Sequence, residues 1–275
     1  MIAYICRRFL SMIPSLFLAS VIVFSFIHFI PGDPAQVMLG DQATPERVQQ
    51  LRESMGLDRP LYVQYAKWIG GVLRGDMGQS IFFHKPVLDV IADRAETSLL
   101  IAVFSMILII VVGVPIGILS AVRCNSRLDQ LFSGASMFFA SIPTFWLGLN
   151  LMLLFAVTLK WLPTSGFPSI VESGDWSNLR YLVLPCITLA APNSALIIRL
   201  TRSSMLDVAR ADYVKTAWAK GLSEGSVTMR HIFRNSLISV VSALALTFVA
   251  LLAGTAVTET VFSLPGAGRP VVASL

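Results

Sequence analysis

Leu99-Leu-Ile-Ala-Val-Phe-Ser-Met-Ile-Leu-Ile-Ile-Val-Val-Gly-Val-Pro-Ile-Gly-Ile-Leu-Ser-Ala-Val122 holds 24 consecutive residues without a charge. A helix needs about 20 apolar residues, at about 1.5 Å each, to cross a hydrocarbon core of about 30 Å. Four more stretches meet or approach that length. Residues 10–30 are uncharged, with His28 near their end, and residues 131–159 are uncharged over 29 positions. Residues 181–198 are shorter and interrupted by Pro185, Pro192 and Asn193, while residues 237–257 are again uncharged. The 131–159 stretch is long enough that it must tilt, protrude or bend at Pro143. The whole chain agrees: 55% of its 275 residues are hydrophobic, 13% are charged, and the mean hydropathy is +0.72. Soluble domains carry about 25% charged residues. The composition therefore excludes an ordinary soluble enzyme, a disordered chain and a nucleic-acid-binding domain, and implies an all-α integral membrane protein whose first partner is the lipid bilayer.

Orientation follows from basic residues in short loops. With the N-terminus inside, segments 1–9, 123–130 and 199–236 hold eleven Lys/Arg against four acids, Asp129, Asp207, Asp212 and Glu224. The short outer pieces, 160–180 and 258–275, hold only Lys160, Arg180 and Arg269. Residues 31–98 form a long outer segment of helical character. Thr44-Pro45 reads as a cap followed by a first-turn proline, Gly56 as a stop, Pro60 to Arg74 as an amphipathic helix, and Pro86 to Arg94 as a third short helix. The first span follows Arg7 and Arg8 like a signal peptide, but its 21 apolar residues and the absence of a small-residue cleavage site make it a retained anchor. Residues 1–275 are expected to form one domain.

Catalytic and metal signatures are missing. Cys6, Cys124 and Cys186 lie far apart without a CxxC, and His28, His84 and His231 form no group by sequence. There is no GxSxG, no HExxH and no GxxxxGK[ST], so no catalytic, cofactor or metal residue is assigned. No span carries a charge in its middle, which weighs against an ion-coupled carrier. Pro143, Asn150 and Asn193 are the candidates for a pathway or gate. The alternative is that the two asparagines hydrogen-bond a neighbouring helix.

The loop between the fourth and fifth spans is the most informative polar stretch. In Ala211-Asp-Tyr-Val-Lys-Thr-Ala-Trp-Ala-Lys-Gly-Leu-Ser223, Tyr213, Thr216, Ala217 and Lys220 share one helical face. Gly221 suits the left-handed residue that ends a helix, and Ser223 can cap a second short helix. Such a small-residue face can enter a partner's groove. By periodicity alone it is equally a solvated loop or a basic helix resting on anionic lipid.

This segment closely resembles the EAA loop of ABC-importer permeases, specifically the dipeptide/oligopeptide/nickel permease family. In the pattern E-A-A-x-x-x-G, Lys215, Thr216, Ala217 and Gly221 occupy the named positions, with Tyr213, Ala219 and Lys220 beside them. Other landmarks are similar in order and spacing: Arg7-Arg8-Phe9, Pro31-Gly32-Asp33-Pro34, Gly56-Leu57-Asp58-Arg59-Pro60-Leu61, Gly75-Asp76-Met77-Gly78-Gln79-Ser80 and Glu259-Thr-Val-Phe-Ser-Leu-Pro-Gly-Ala-Gly-Arg269. The resemblance implies a type I ABC-importer transmembrane domain in a bacterial-type cytoplasmic (inner) membrane. It implies a second homologous permease, two cytoplasmic ABC ATPases and an extracytoplasmic solute-binding protein as partners. Loop 199–236 would then carry a coupling helix, and the subunit itself would be non-catalytic. Its cargo would be di- or oligopeptides, with nickel or glutathione as alternatives. A passive channel or a structural membrane protein are the readings from other classes, separated by co-purification of an ATPase. Relatives of this kind continue past the Pro-Gly-x-Gly-Arg motif into a sixth span. The sequence shows five spans and ends six residues after Arg269, so this form is expected to insert but to support little uptake.

Overall fold

The computed structural model describes residues 2–29, 33–40, 43–80, 83 and 85–267. The His28 side chain, His84, Pro31-Gly32 and Gly268-Arg269 lie outside the described residues. The described residues are helical, without named strands, and fall into two compact units, Met1–Ile91 and Ala92–Leu275.

In the first unit α1 spans Ile2–Phe29. None of its apolar window is buried, with Leu10, Leu16, Phe17, Leu18 and Val23 all exposed. A helix that is apolar on every side suits lipid or another helix rather than water. The short helix α2 (Pro34–Leu39) packs on α3 (Pro45–Met55), where Arg52 Nε donates to Asp33 Oδ2 at 2.8 Å. The caps follow the sequence signals: Thr44 Oγ1 accepts from the Arg47 N–H, and Gly56 takes φ +74°. The amphipathic helix α4 is Leu61–Val72. Its Tyr65 lies within hydrogen-bonding distance of Ser20 Oγ (2.7 Å) and, with Trp68, packs around Phe24.

The second unit is a helix bundle. Helix α5 runs without a break over Val87–Val122, so the third short helix expected at 86–94 is instead the polar beginning of the second span. Its one irregularity is a π turn at Ile109–Gly113. Pro115 comes next and has no N–H for the Val111 carbonyl four residues earlier, a recognised cause of such defects. The third stretch is two helices, α6 (Arg127–Ser141) and α7 (Thr144–Thr158), bent by 100°. Ile142 is extended, at φ −81° and ψ 126°, as a residue before proline prefers. Of the three outcomes open to this stretch, the bend at Pro143 is the one adopted. Helix α8 (Val183–Ala209) is central, packing against α5, α6 and α7 and against the last long helix. A short helix α9 (Asp212–Ala219) comes after it, and then α10 (Glu224–Val261). Ile101, Ile109, Leu182, Ile197, Leu251, Phe262 and Leu264 are fully buried among these helices.

Helices α5 and α8 approach tightly at Gly117. A Cβ placed on Gly117 would lie 2.6 Å from Thr201 Cβ and 2.9 Å from the Ile198 carbonyl oxygen. Both obstacles belong to a packed helix and cannot swing aside. Gly117→Ala is therefore expected to destabilise the bundle by about 1–3 kcal/mol, the usual range for overpacking. Thermal unfolding in detergent reads this directly, and an unchanged midpoint would refute the tight contact.

Candidate functional site

Helix α8 ends at Ala209, and the extended residue Ala211 turns the chain into α9. Thr216 Oγ1 donates to the Asp212 carbonyl at 3.0 Å, and Lys215 pairs with Asp212 at 2.8 Å across one turn. Both partners of that pair are largely exposed, so it contributes little to stability. The end of α9 is tightly specified. Gly221 takes φ +77°, its N–H donates to the Trp218 carbonyl at 2.9 Å, and the Leu222 N–H donates to the Ala217 carbonyl at 3.4 Å. This pair of bonds around a left-handed glycine is a Schellman stop. Ser223 sits at the next N-cap without a side-chain bond. The second short helix expected after Ser223 is not a separate element. Glu224 instead begins α10, which continues through a π turn at Val227–Phe233 into the fifth span.

The orientation of α9 differs from the expected one. Val214 and Ala217 are buried, packing in a cluster with Ala121, Met205, Val227 and Ile232. Ala217 thus points into the bundle, away from Thr216 and Lys220, whose helical face it was expected to share. The outward surface carries Tyr213 and Trp218, each 46% exposed, Leu222, and the exposed Lys215, Thr216, Ala219 and Lys220. Sequence reasoning misses Trp218 and Leu222 as surface residues. Val214, an apolar residue three positions before Ala217, is the signal for the buried side of the helix.

The pathway candidates are dispersed. Pro143 caps the start of α7 and is exposed. Asn150 Nδ2 donates to the Trp146 carbonyl and Asn193 Nδ2 to the Leu189 carbonyl, both at 2.8 Å. Each asparagine thus bonds its own helix, four residues back, rather than a neighbouring one. A cavity of about 250 Å³ opens between α5, α6 and α8. Its walls are almost wholly apolar, with Val112, Phe132, Phe139, Ile187 and Ile198 among them, and it includes none of the three candidates.

Comparison with known proteins places this architecture. Residues 113–275 match the family described as binding-protein-dependent transport system inner membrane component, and residues 1–102 match its N-terminal counterpart. The chain is 38% identical to the dipeptide transport system permease protein DppB of Alkalihalophilus pseudofirmus, over 98% of this chain and 86% of that protein. It is 40% identical to the glutathione transport system permease protein GsiC of Escherichia coli K12, over 100% of this chain and 87% of that protein. Among solved structures, the inward-facing MetNI methionine ABC transporter aligns with a TM-score of 0.52 at 19% identity, over 66% of this chain and 78% of that one, which establishes a shared fold. The chain belongs to the family of inner-membrane components of binding-protein-dependent transport systems.

Proposed function

We propose that residues 1–275 act as one transmembrane domain that lines the translocation pathway of an ATP-driven importer of di- or oligopeptides. The partners are a second homologous permease, two cytoplasmic ABC ATPases and an extracytoplasmic solute-binding protein, with ATP hydrolysis confined to the ATPases. The N-terminus lies in the cytoplasm, a placement that the distribution of Lys and Arg supports. The 40% identity to a glutathione permease supports a second reading, in which the cargo is that small peptide. Pro143, at the 100° break, is the natural hinge of a gate, with Asn150 and Asn193 as polar groups along the pathway.

The observation that carries this reading is α9. Val214 and Ala217 anchor it to the bundle, a Schellman stop fixes its end, and it leaves Tyr213, Trp218 and Leu222 exposed. Aromatic side chains are enriched at protein contacts and among the residues that carry their binding energy. ATP-driven closure of the ATPases would displace both permeases' α9 helices together and shift the spans from inward- to outward-facing.

The test is recovery of the cognate ATPase with this subunit from membranes containing all components. Trp218→Glu changes a half-exposed residue and should leave the fold intact, while recovery should fall at least about tenfold, the scale of a lost interface hot spot. Undiminished recovery would reject α9 as the docking element. Uptake of a labelled dipeptide against labelled glutathione by the same assembly separates the two cargo readings.

A further inference from the structure

Asp129, in the first turn of α6, is 3% exposed and all its carboxylate capacity is used. Oδ1 accepts from Arg202 Nε at 2.7 Å and from the Ser120 hydroxyl. Oδ2 accepts from Arg202 Nη2 at 2.7 Å and from the Asn125 N–H at 2.8 Å. Arg202 Nη2 also reaches Cys124 Sγ at 3.4 Å. One carboxylate thus ties together the end of α5, the turn at 123–126, α6 and α8. A buried ion pair is a poor device for stability, because desolvation offsets its Coulomb attraction. A two-pronged Arg–carboxylate contact does fix geometry, since both prongs must be in register.

Two features indicate what that geometry serves. Part of the α6–α8 contact opens into the apolar 250 Å³ cavity, which Phe132 and Phe139 of α6 and Ile187 and Ile198 of α8 help to line. Apolar contact is non-directional and sets register less sharply than a two-pronged hydrogen-bonded pair. The clamp supplies the directional contact. It also stands close to α9 in the chain of packing: Arg202 precedes Met205 by three residues on α8, and Met205 packs with Val214 and Ala217 of α9. From Asp129, α6 runs directly to the break at Pro143.

We infer that the Asp129–Arg202 clamp is the positioning contact that makes α6, and so the bend at Pro143, follow α8 when α9 is displaced. This rests on the reading of α9 as the ATPase-docking helix. Contiguity motivates the inference, and coupling has to be measured directly. The experiment uses the complete assembly of both permeases, ATPases and binding protein in proteoliposomes, with this subunit extended by the sixth span of a close relative. Three quantities are read: ATPase recovery, ATP hydrolysis with and without solute-loaded binding protein, and uptake per ATP hydrolysed. Arg202→Gln and Asp129→Asn should each leave recovery within about twofold of wild type, while uptake per ATP falls at least about tenfold and hydrolysis loses its dependence on the binding protein. Arg202→Lys keeps the charge without the fork and should fall between. Because a single change strands a buried charge, the paired variant Asp129→Leu/Arg202→Met is included, which removes both charges and preserves packing. That pair should assemble normally and remain uncoupled. Wild-type uptake per ATP in the pair, or a loss in the singles that only tracks subunit abundance, would overturn the inference. Failure of α9 as a docking helix is a separate result, seen in the recovery measured with Trp218→Glu.

Discussion

Ala217→Glu is expected to detach α9 from the bundle and abolish recovery of the ATPase. Ala217 is 5% exposed, and its neighbours Ala121, Met205, Val214, Val227 and Ile232 offer no polar side chain to a carboxylate. Burying an unsatisfied polar group costs about 2–7 kcal/mol, and an ionised one more. An eight-residue helix held by two apolar side chains has little with which to oppose that cost. The expected result is faster proteolysis within residues 210–223, with ATPase recovery lost as a consequence. Trp218→Glu should lose recovery without the change in proteolysis, because Trp218 is half-exposed and a glutamate there keeps its carboxylate in water. Equal protease resistance of Ala217→Glu and wild type would contradict the inward packing of Ala217.

Gly266→Ala is expected to have the second large effect. After α10 the chain doubles back: the Leu264 N–H donates to the Glu259 carbonyl at 2.8 Å, and Ser263 takes φ +50°. Glu259 is fully buried and accepts from Ser98 Oγ at 2.6 Å, and the same hydroxyl accepts from the Ala267 N–H at 2.9 Å. Gly266 lies directly over this carboxyl, so that a Cβ there would fall on the Glu259 side chain. Alanine must push the returning loop off α5 or displace the carboxyl from Ser98. Overpacking of this kind costs about 1–3 kcal/mol, and breaking the buried hydrogen bonds adds about 1–3 kcal/mol. A lowered unfolding midpoint in detergent is the measurement. Combining Gly266→Ala with Glu259→Asp, which withdraws the carboxyl by one methylene, should recover part of the loss. No recovery would mean that the crowding at Glu259 is not its cause.

Features legible in the sequence are those a few neighbouring residues decide. Thr44-Pro45 starts α3 and Gly56 ends it, and Gly221 stops α9, because capping and left-handed φ depend on the local chain alone. The long uncharged runs are helices because an apolar medium leaves the backbone no other partners. Misjudged features lie at the polar extensions of those runs. Pro86 to Arg94 and the stretch capped by Ser223 read as separate short helices, since hydrophobicity marks where a span can be buried and not where its backbone hydrogen bonds cease. The facing of α9 is misjudged for a related reason: Tyr213 and Val214 are adjacent, and either could anchor the apolar side.

From the sequence alone came the order of the apolar stretches, the family landmarks and the loop that carries α9. Only the tertiary structure decided that Ala217 faces inward, that Pro143 bends its span by 100°, and that Asp129 meets Arg202 while Ser98 meets Glu259. Those last pairs are separated by 73 and 161 residues. In the sequence each of these residues is an ordinary polar group near the end of an apolar run. Its partner depends on which helices become neighbours and in what register, and close contacts such as Gly117 against Thr201 set that register only once the whole bundle has packed.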